Sequence, residues 1–299
     1  MVIFEQVLIL FVFIMAGYVL GKRGIVDRSH TRILSGILVY VFLPCMVFKS
    51  FANNFNVQNL VAKSHLVMAS AAILCVVALL SRVIAALITK NSYERHVYSY
   101  SLTIPNFGYM GYALAESMFG EVGLFEFMMF AIPASIYTYT VGFSTLTKRP
   151  VSIKGLLNPA MISLVLGCAA GLIGLRFPQI MLDILNKSGA CMAPVSMLLA
   201  GIVISEFDVK LLIKDKKAYL VTFLRLLVIP LIIGFVLKLF AGEEEIRYAV
   251  LFYSMACGMN TIVYPKLVNE ECHIGAKLAF LTNIFTCATI PLNLYLLGI

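Results

Sequence analysis

Tryptophan is absent from this sequence, and charged residues are scarce. None of the 299 residues is Trp, and only 13% are Asp, Glu, Lys or Arg, whereas 61% are hydrophobic. A soluble domain typically carries about 25% charged residues, so this composition excludes a soluble enzyme held by a single anchor. We therefore expect an integral membrane protein in which Tyr supplies the aromatic side chains at the bilayer interface.

Sequence motifs of common enzyme classes are also missing. The chain contains no P-loop, no GxGxxG after a strand, no HExxH and no GxSxG. The seven Cys form no CxxC pair, and the four His lie in or beside loops, so neither set has the spacing of metal ligands. We predict no enzymatic activity, no metal site and no cofactor, although H⁺ or Na⁺ could serve as a coupling ion.

Ten apolar segments run through the chain. Each is close to the length of about 20 residues that a helix needs to cross a bilayer. The first segment has its basic flank after it rather than before it, so it is interpreted as a span and not as a cleavable leader. The segments are 2–20, 33–51, 66–88, 96–117, 123–146, 158–175, 180–205, 218–240, 247–268 and 274–297.

The fourth segment carries helix-breaking and polar residues at its centre. Pro105, Asn106 and Gly108 lie close together in the sequence SLTIPNFGYMGYALA. Pro105 has no N–H and its ring clashes with the preceding turn, so the helix should break or kink there. Backbone freed at this depth needs partners in protein or in a water-filled cavity, as in the binding sites of secondary transporters. The alternative is a Pro-kinked helix whose Asn bonds a neighbouring helix.

Features of the first half recur in the second at a spacing close to half the chain. A Pro interrupts the second and the seventh segments, and Asn106 in the fourth matches Asn260 in the ninth. An odd number of spans in each half requires the second half to insert upside down. We therefore predict an all-α integral membrane fold of ten transmembrane helices. It consists of two inverted five-helix repeats, 1–150 and 151–299, with broken crossover helices in the fourth and ninth segments.

The two crossovers predict the chemistry of the site. Gly258 and Asn260 lie near the centre of the ninth segment, as Asn106 does in the fourth. If both helices break, the positive N-terminal ends of their second halves point at one cavity, which suits a carboxylate. Asn side chains can donate and accept hydrogen bonds without the cost of a buried charge. Alternatively, the two Asn only hold the crossover together.

Polar residues of three other segments complete the candidate site. Ser135 and Thr138 of the fifth segment and Asn283 of the tenth lie at helical spacing beside the crossovers, although Ser and Thr also bond their own helix backbone. Arg225 lies deep in the eighth segment. There it could meet a substrate carboxylate, bind a phosphate head group or reach the inner interface. Because the deep spans hold almost no carboxylate, Na⁺ could be bound only through amides, hydroxyls and carbonyls.

Lys and Arg are concentrated in alternate loops. Examples are Lys22 with Arg23, Lys148 with Arg149, and the run 210–217. The positive-inside rule places these loops in the cytoplasm and both termini on the outer side of the cell membrane. The net charge of +8 is thus a signal of topology in a multi-pass protein surrounded by the lipid bilayer. No nucleic-acid partner is predicted.

Several motifs resemble the auxin efflux carrier family. They are LPCMVF in the second segment, IPNFGYMGYAL in the fourth, NPAMISLVLGCAAGLIG in the sixth, and ACGMNTIVYP with TNIFTCATIPL in the last two. The similarity runs nearly from end to end. The family's crossover Asn maps on Asn106 and its ninth-helix crossover on 256–260, where Ala256 replaces the Pro that members usually carry.

The resemblance implies a fold related to that of bile-acid/sodium symporters. It also implies that the protein works as a homodimer. Helices 1, 2, 6 and 7 would form a scaffold, and helices 3–5 and 8–10 a transport domain that moves by an elevator-type mechanism. The family includes plant auxin exporters and bacterial carriers associated with malate or malonate. We therefore predict a bacterial-type transporter, secondary active or facilitative, of a small organic anion: an auxin-like weak acid or a dicarboxylate. The alternatives are a sodium-coupled, bile-acid-type symporter, and an anion channel or non-transporting receptor on the same scaffold.

Overall fold

The apolar sequence folds into helices throughout the part of the chain that the structure describes. This computed structural model describes residues 2–207, 215–268 and 272–299, and none of these residues belongs to a β-strand. Lys210 and Lys214 of the predicted cytoplasmic run lie outside the described residues. Within the described ranges, seven helical segments are long and apolar enough to cross a membrane. They are Glu5–Lys22, His30–Asn54, Val57–Ile88, Phe107–Thr147, Gln179–Ser205, Lys216–Leu237 and His273–Leu296.

The described α-helices are numbered here in chain order. They are α1 (Val2–Lys22), α2 (Arg28–Ile37), α3 (Leu43–Asn54), α4 (Val57–Ile88), α5 (Ser92–Thr103), α6 (Tyr112–Tyr137), α7 (Phe143–Thr147), α8 (Pro159–Leu172), α9 (Gln179–Ala190), α10 (Met192–Ser205), α11 (Lys216–Phe223), α12 (Ile229–Leu237), α13 (Glu243–Ser254), α14 (Asn260–Leu267) and α15 (His273–Leu296). Short π-helical turns adjoin several of them, at Leu38–Phe42, Phe107–Gly111, Thr138–Gly142 and Leu224–Val228.

Two of the π turns lie directly before a helix that has a proline in its first turn. Leu38–Phe42 precedes Pro44 in α3, and Leu224–Val228 precedes Pro230 in α12. Pro has no N–H to donate, and its ring clashes with the carbonyl one turn earlier. A wider turn before the proline relieves that clash, and the first turn of the next helix does not need the missing N–H. The chain therefore stays helical through both prolines.

The long segment Phe107–Thr147 is divided at Gly120. Its 41 residues would reach about 60 Å as one straight helix, twice the thickness of a bilayer core of about 30 Å. Gly120 has φ 70° and ψ −166°, which is not a helical conformation. Glycine adopts this positive φ without the clash that a Cβ would cause. The helix axis therefore changes inside α6, between the predicted fourth and fifth segments.

Glycines allow two helix pairs to approach closely. A Cβ placed on Gly201 of α10 would lie 1.9 Å from the Ile14 carbonyl oxygen of α1. A Cβ on Gly171 of α8 would lie 2.3 Å from the carbonyl oxygen of Phe55, the residue after α3. Small residues at such contacts are how membrane helices gain van der Waals packing where lipid removes the hydrophobic driving force. Helices α1 with α10 and α3 with α8 thus form tight pairs.

Two short helices enter the interior and end there. α5 and α13 are each 12 residues long, and their last residues are buried continuously, Val97–Thr103 in α5 and Tyr248–Ser254 in α13. Asn91 caps the start of α5 by accepting hydrogen bonds from the N–H groups of Tyr93 and Glu94. The carbonyl ends of both helices, in contrast, lie inside the protein. The backbone beyond them forms the candidate site.

Candidate functional site

The interrupted helices pair with each other through their backbones. α5 ends at Thr103 and helical structure resumes at Phe107, while α13 ends at Ser254 and resumes at Asn260. The Asn106 N–H donates to the Ala256 carbonyl at 2.9 Å, and the Gly258 N–H donates to the Ile104 carbonyl at 3.2 Å. These bonds form one antiparallel bridge between Pro105 and Cys257. Backbone groups that lost helical partners are thus satisfied inside the protein, as a lipid environment requires.

The second interruption has no proline, and a side chain from another helix supports it. The Cys257 N–H donates to the Thr282 hydroxyl of α15 at 3.1 Å. That hydroxyl in turn donates to the Leu278 carbonyl of its own helix at 2.6 Å. Ala256 therefore does not restore a continuous helix, because hydrogen bonds to the first interruption and to α15 compensate for the helical bonds that are lost. The non-helical stretch covers residues 255–259.

A cavity of about 70 Å³ lies against the paired interruptions. A buried water needs about 10–15 Å³ of such space, so there is room for roughly five waters or for one carboxylate group. Polar groups from the interruptions and from α6 form one part of the lining, and apolar residues of the second and sixth predicted segments form the other. The apolar residues are Val39, Leu43, Val47, Ala160, Met161 and Leu164.

Most of the predicted site residues share this cavity. Those that line it are Pro105, Asn106, Gly108, Ser135, Thr138, Gly258 and Asn260. Asn283 and Arg225 do not line it. Among the described residues, no Asp, Glu, Lys or Arg lines the cavity, so its electrostatic character comes from dipoles and from hydrogen-bonding side chains.

Asn106 presents an unpaired donor. Its side chain is buried, and its Nδ2 donates to no group in the part of the chain that the structure describes. Its backbone carbonyl accepts from the N–H groups of Met110 and Gly111 at 3.0 and 3.1 Å, which fixes the start of the following helix. The N–H groups of residues 107–109 precede the first hydrogen-bonded turn, so they have no intrahelical partner. The Asn106 amide and a positive helix end therefore meet at one side of the cavity.

Asn260, the counterpart of Asn106, is tied to a neighbour. Its Nδ2 donates to the Tyr100 hydroxyl of α5 at 3.1 Å. Asn260 thus combines a place in the cavity lining with a structural bond across the crossover, and Asn106 has no equivalent side-chain bond. The hydroxyl of Thr138 also lines the cavity, and Thr138 lies close to Tyr100. The unpaired Asn106 amide thus lies at a cavity whose lining, among the described residues, has no carboxylate, which suits an anionic group.

Arg225 lies at the carbonyl ends of the two interrupted helices. It is fully buried, and its Nη1 donates to the Leu102 carbonyl in the last turn of α5 at 3.1 Å. Its guanidinium lies 5.7 Å from the centre of the Tyr253 ring, in the last turn of α13. A cation is stabilising near a helix C-terminus and over an aromatic face. The Arg225 guanidinium therefore lies against the carbonyl end of α5 and the Tyr253 ring, outside the cavity lining. In the described part of the chain, its Nε and Nη2 have no hydrogen-bond partner.

Asn283 lies within α15 and is nearly completely buried. Its Nδ2 donates to the Ala279 carbonyl of the same helix at 2.7 Å, while its Oδ1 has no partner. The helix that carries Asn283 reaches the crossover through Thr282 instead.

Sequence reasoning missed the aromatic residues of the cavity region. Tyr109, Tyr112 and Tyr139 line the cavity, and Tyr100 holds Asn260. Tyr100 and Tyr109 lie about one helical turn before and after the interruption at Pro105, and this spacing could have identified them. The apolar wall has no such signal, because the residues that form it are typical of any membrane helix.

Several apolar helices define a multi-pass membrane protein, and the comparisons with known proteins give its family. The model of the membrane transport protein family matches residues 2–154 and 145–294. The chain therefore belongs to the membrane transport protein family, in agreement with the resemblance to auxin efflux carriers. This membership indicates a transport role and not an enzymatic one.

Three relatives are described as uncharacterized transporters. The protein of Methanocaldococcus jannaschii is 23% identical over 314 aligned residues, which cover 98% of this chain and 98% of the relative. That of Methanothermobacter thermautotrophicus is 24% identical over 306 residues, 96% of each chain. The protein of Schizosaccharomyces pombe is 30% identical over 116 residues, 39% of this chain. The match spans only 26% of the Schizosaccharomyces pombe protein, so the similarity is confined to one part of that protein.

Proposed function

We propose that this protein is a secondary active or facilitative transporter of a small organic anion, an auxin-like weak acid or a dicarboxylate. The observation that carries the proposal is the buried Asn106 amide, which faces a cavity at two interrupted helices with no hydrogen-bond partner. A buried donor without a partner costs about 1–3 kcal/mol. A carboxylate bound in the cavity would satisfy this donor and lie at positive helix ends.

The same proposal includes ten transmembrane helices in two inverted repeats, 1–150 and 151–299. Gly120 would divide Phe107–Thr147 into parts of the fourth and fifth helices. The equal lengths of α5 and α13, each followed by an interruption, support their equivalence in the two repeats. A common origin with bile-acid/sodium symporters and a homodimeric assembly belong to the proposal, as do outer termini in the cell membrane.

We further propose an elevator-type mechanism. The tight pairs α1 with α10 and α3 with α8 suit a rigid scaffold made of the first, second, sixth and seventh helices. The interruptions belong to the remaining helices, 3–5 and 8–10, which would form the transport domain. The cavity lies where these two groups meet, so a shift of one against the other would expose it to alternate sides. Apolar residues of the scaffold wall would let the transport domain slide without breaking hydrogen bonds.

Counterflow in proteoliposomes tests the proposed function. Vesicles are preloaded with unlabelled indole-3-acetate, malate, malonate or a bile acid, and labelled substrate is added outside without an ion gradient. A carrier exchanges the two pools, so labelled substrate accumulates transiently with at least one of these anions. Asn106→Ala should abolish or strongly reduce that accumulation while the protein stays folded.

Asn186→Ala is the matched control. Asn186 lies in α9 and outside the cavity lining, so this variant should exchange substrate like the unmodified protein. Unchanged transport kinetics in Asn106→Ala would contradict the assignment of the site. Absence of exchange with every anion, together with a conductance above carrier turnover, would favour the channel. Binding without exchange or conductance would favour the receptor.

Sodium coupling is the remaining alternative. An ion that binds the folded state raises its melting temperature by mass action. A thermal shift of the purified protein in NaCl, absent in choline chloride of equal concentration, would favour a bile-acid-type sodium symporter. The cavity lining offers only amides, hydroxyls and carbonyls to such an ion.

A further inference from the structure

A second cavity, of about 400 Å³, lies among α4, α5 and the end of the Phe107–Thr147 segment. Basic side chains line it: Arg82 of α4, and Arg95 and His96 of α5. Hydroxyl groups of Ser92, Ser99 and Tyr137 also line it, whereas the Thr145 hydroxyl donates to the Val141 carbonyl at 2.7 Å. Among the described residues, no Asp or Glu belongs to the lining. The site is separate from the cavity at the crossover, since the two share no lining residue.

The positive charges of this cavity have no carboxylate partner in the described part of the chain. The ion pairs of the described residues involve side chains outside this cavity, such as Lys63 with Glu126 and Lys277 with Asp215. Arg95 donates only to the Lys90 carbonyl, at 3.3 Å, and the buried Nδ1 of His96 has no hydrogen-bond partner. Arg82 and Arg95 are both exposed residues, so their guanidinium groups are open to an anion from outside the protein.

Glu94, the residue before Arg95 in α5, is paired with other residues. Glu94 accepts hydrogen bonds from the Thr89 hydroxyl and from Lys217 Nζ, the latter at 3.1 Å. These contacts hold the pKa of Glu94 below its usual range, the hydrogen bond from Thr89 being the largest cause and the Lys217 ammonium a further one. Glu94 therefore stays ionised and paired with Lys217, and the charges of Arg82 and Arg95 remain available to an outside anion.

The cavity adjoins the surface that faces lipid. On α4, Val83 and Leu87 follow Arg82 with 58% and 83% of their surface exposed. On α6, exposed Ile136 directly precedes Tyr137. Exposed apolar side chains at this level of a membrane helix contact acyl chains. A ligand that fills the cavity can therefore extend along lipid, which a small soluble anion cannot do.

We propose that this cavity binds the phosphate head group of an anionic phospholipid, whose acyl chains lie along α4. Guanidinium groups match the geometry of phosphate oxygens, and basic pockets between membrane helices on the cytoplasmic side take acidic head groups. The predicted orientation places this end of α4 in the cytoplasm, where anionic lipids enrich the leaflet. Residues of α4, α5 and α7 line the cavity, so a bound head group contacts three helices.

Lipid-dependent thermal stability tests this site without any assay of transport. The whole protein, purified in a neutral detergent, is titrated with phosphatidylglycerol or phosphatidylcholine, and with inorganic phosphate against chloride at equal ionic strength. Phosphatidylglycerol should raise the melting temperature by several degrees and phosphatidylcholine should not. Arg82→Gln combined with Arg95→Gln should weaken the apparent affinity for phosphatidylglycerol about tenfold or more, since both guanidinium groups of the lining are removed.

Two matched variants keep the result interpretable. Lys90→Gln combined with Lys154→Gln removes the same charge from exposed positions outside the cavity and should keep the full response. Arg95→Gln alone, at an exposed position, should lose part of the response to phosphatidylglycerol. This single variant keeps the proposal testable if the double variant fails to fold. Equal responses in the cavity variant and its control would overturn the proposal. A response to inorganic phosphate as large as that to phosphatidylglycerol would overturn the assignment to a lipid.

Discussion

The two helix interruptions break the chain in different ways. The first follows from local sequence, since Pro105 cannot donate to a helix and clashes with the turn before it. The second contains Ala256 and Cys257, which are compatible with a helix. It is held open by the N–H bond of Cys257 to Thr282 and by the two backbone bonds to the first interruption. The first break is determined by the sequence of its own segment, and the second depends on tertiary contacts.

This difference extends to the two asparagines. Asn260 is bonded to Tyr100, whereas the Asn106 amide nitrogen has no partner. Buried polar groups are nearly always hydrogen-bonded, and an exception points to strain, to a function or to a bound molecule. The locally determined break therefore carries the group that we propose binds substrate, and the break held by contacts carries the group that secures the crossover.

The largest expected effect separates the two asparagines. Asn106→Ala should reduce transport roughly tenfold to a hundredfold, since a hydrogen bond to a charged group contributes about 1.5–3 kcal/mol. Its melting temperature should stay equal or rise, because the variant removes a buried donor without a partner. Asn260→Ala should lower the free energy of unfolding by about 1 kcal/mol through loss of the bond to Tyr100. Thermal melting and counterflow of both variants check this contrast; greater destabilisation by Asn106→Ala would refute it.

The next effect concerns the support of the second break. Thr282→Val removes the hydroxyl that accepts the Cys257 N–H and leaves that buried group unpaired, at a cost of about 1–3 kcal/mol. Thr286→Val is the control, because the Thr286 hydroxyl is equally buried but donates within its own helix, to Asn283. The melting temperature should fall clearly only in Thr282→Val. Similar melting of the two variants would show that the second break does not depend on this bond.

The smallest effect tests whether the second break tolerates the missing proline. Met255 is extended, with φ −77° and ψ 160°, as a residue before proline prefers. In the described part of the chain, the Ala256 N–H makes no backbone hydrogen bond that proline would remove. Ala256→Pro should therefore raise the free energy of unfolding by about 0.4–1 kcal/mol.

Cys257→Pro provides the opposite outcome at the neighbouring position. It deletes the N–H that bonds Thr282, so it should lower the melting temperature. Denaturation of both proline variants in the same detergent compares them directly. If Ala256→Pro destabilised as much as Cys257→Pro, the backbone at Ala256 would not be preformed for proline.

The sequence predicts the location of the candidate site better than it predicts the contacts within that site. Length, composition and family motifs were enough to predict a helical membrane protein of a transport family. Pro105, Asn106, Asn260 and their neighbours in the cavity followed from helix-breaking chemistry and from the repeat. The antiparallel bridge between the breaks could not be predicted, because nothing in the local sequence around Ala256 specifies a partner 150 residues away. The π turns, the apolar wall and the role of Thr282 likewise depend on packing between distant helices.

Arg225 shows the same limit at a single residue. An arginine deep in a membrane segment indicates a functional site by default, but the sequence around it does not reveal whether the side chain faces a ligand or a helix end. The structure places it at the Leu102 carbonyl and the Tyr253 ring. Only the arrangement of three helices determines this position, so no pattern within the eighth segment could have indicated it.

Substrate protection of a thiol in the cavity is the most direct measurement of the central claim. Gly108 lines the cavity, and a Cβ built on it meets no atom within 4 Å, so Gly108→Cys places a thiol in open space. Gly36→Cys, at another uncrowded glycine outside the cavity, is the control. Alkylation of each introduced thiol is followed by mass spectrometry with and without the anion that supports counterflow. An anion bound in the cavity should slow alkylation at position 108 several-fold and leave position 36 unchanged. Equal rates at position 108 with and without the anion would contradict a binding site at the paired interruptions.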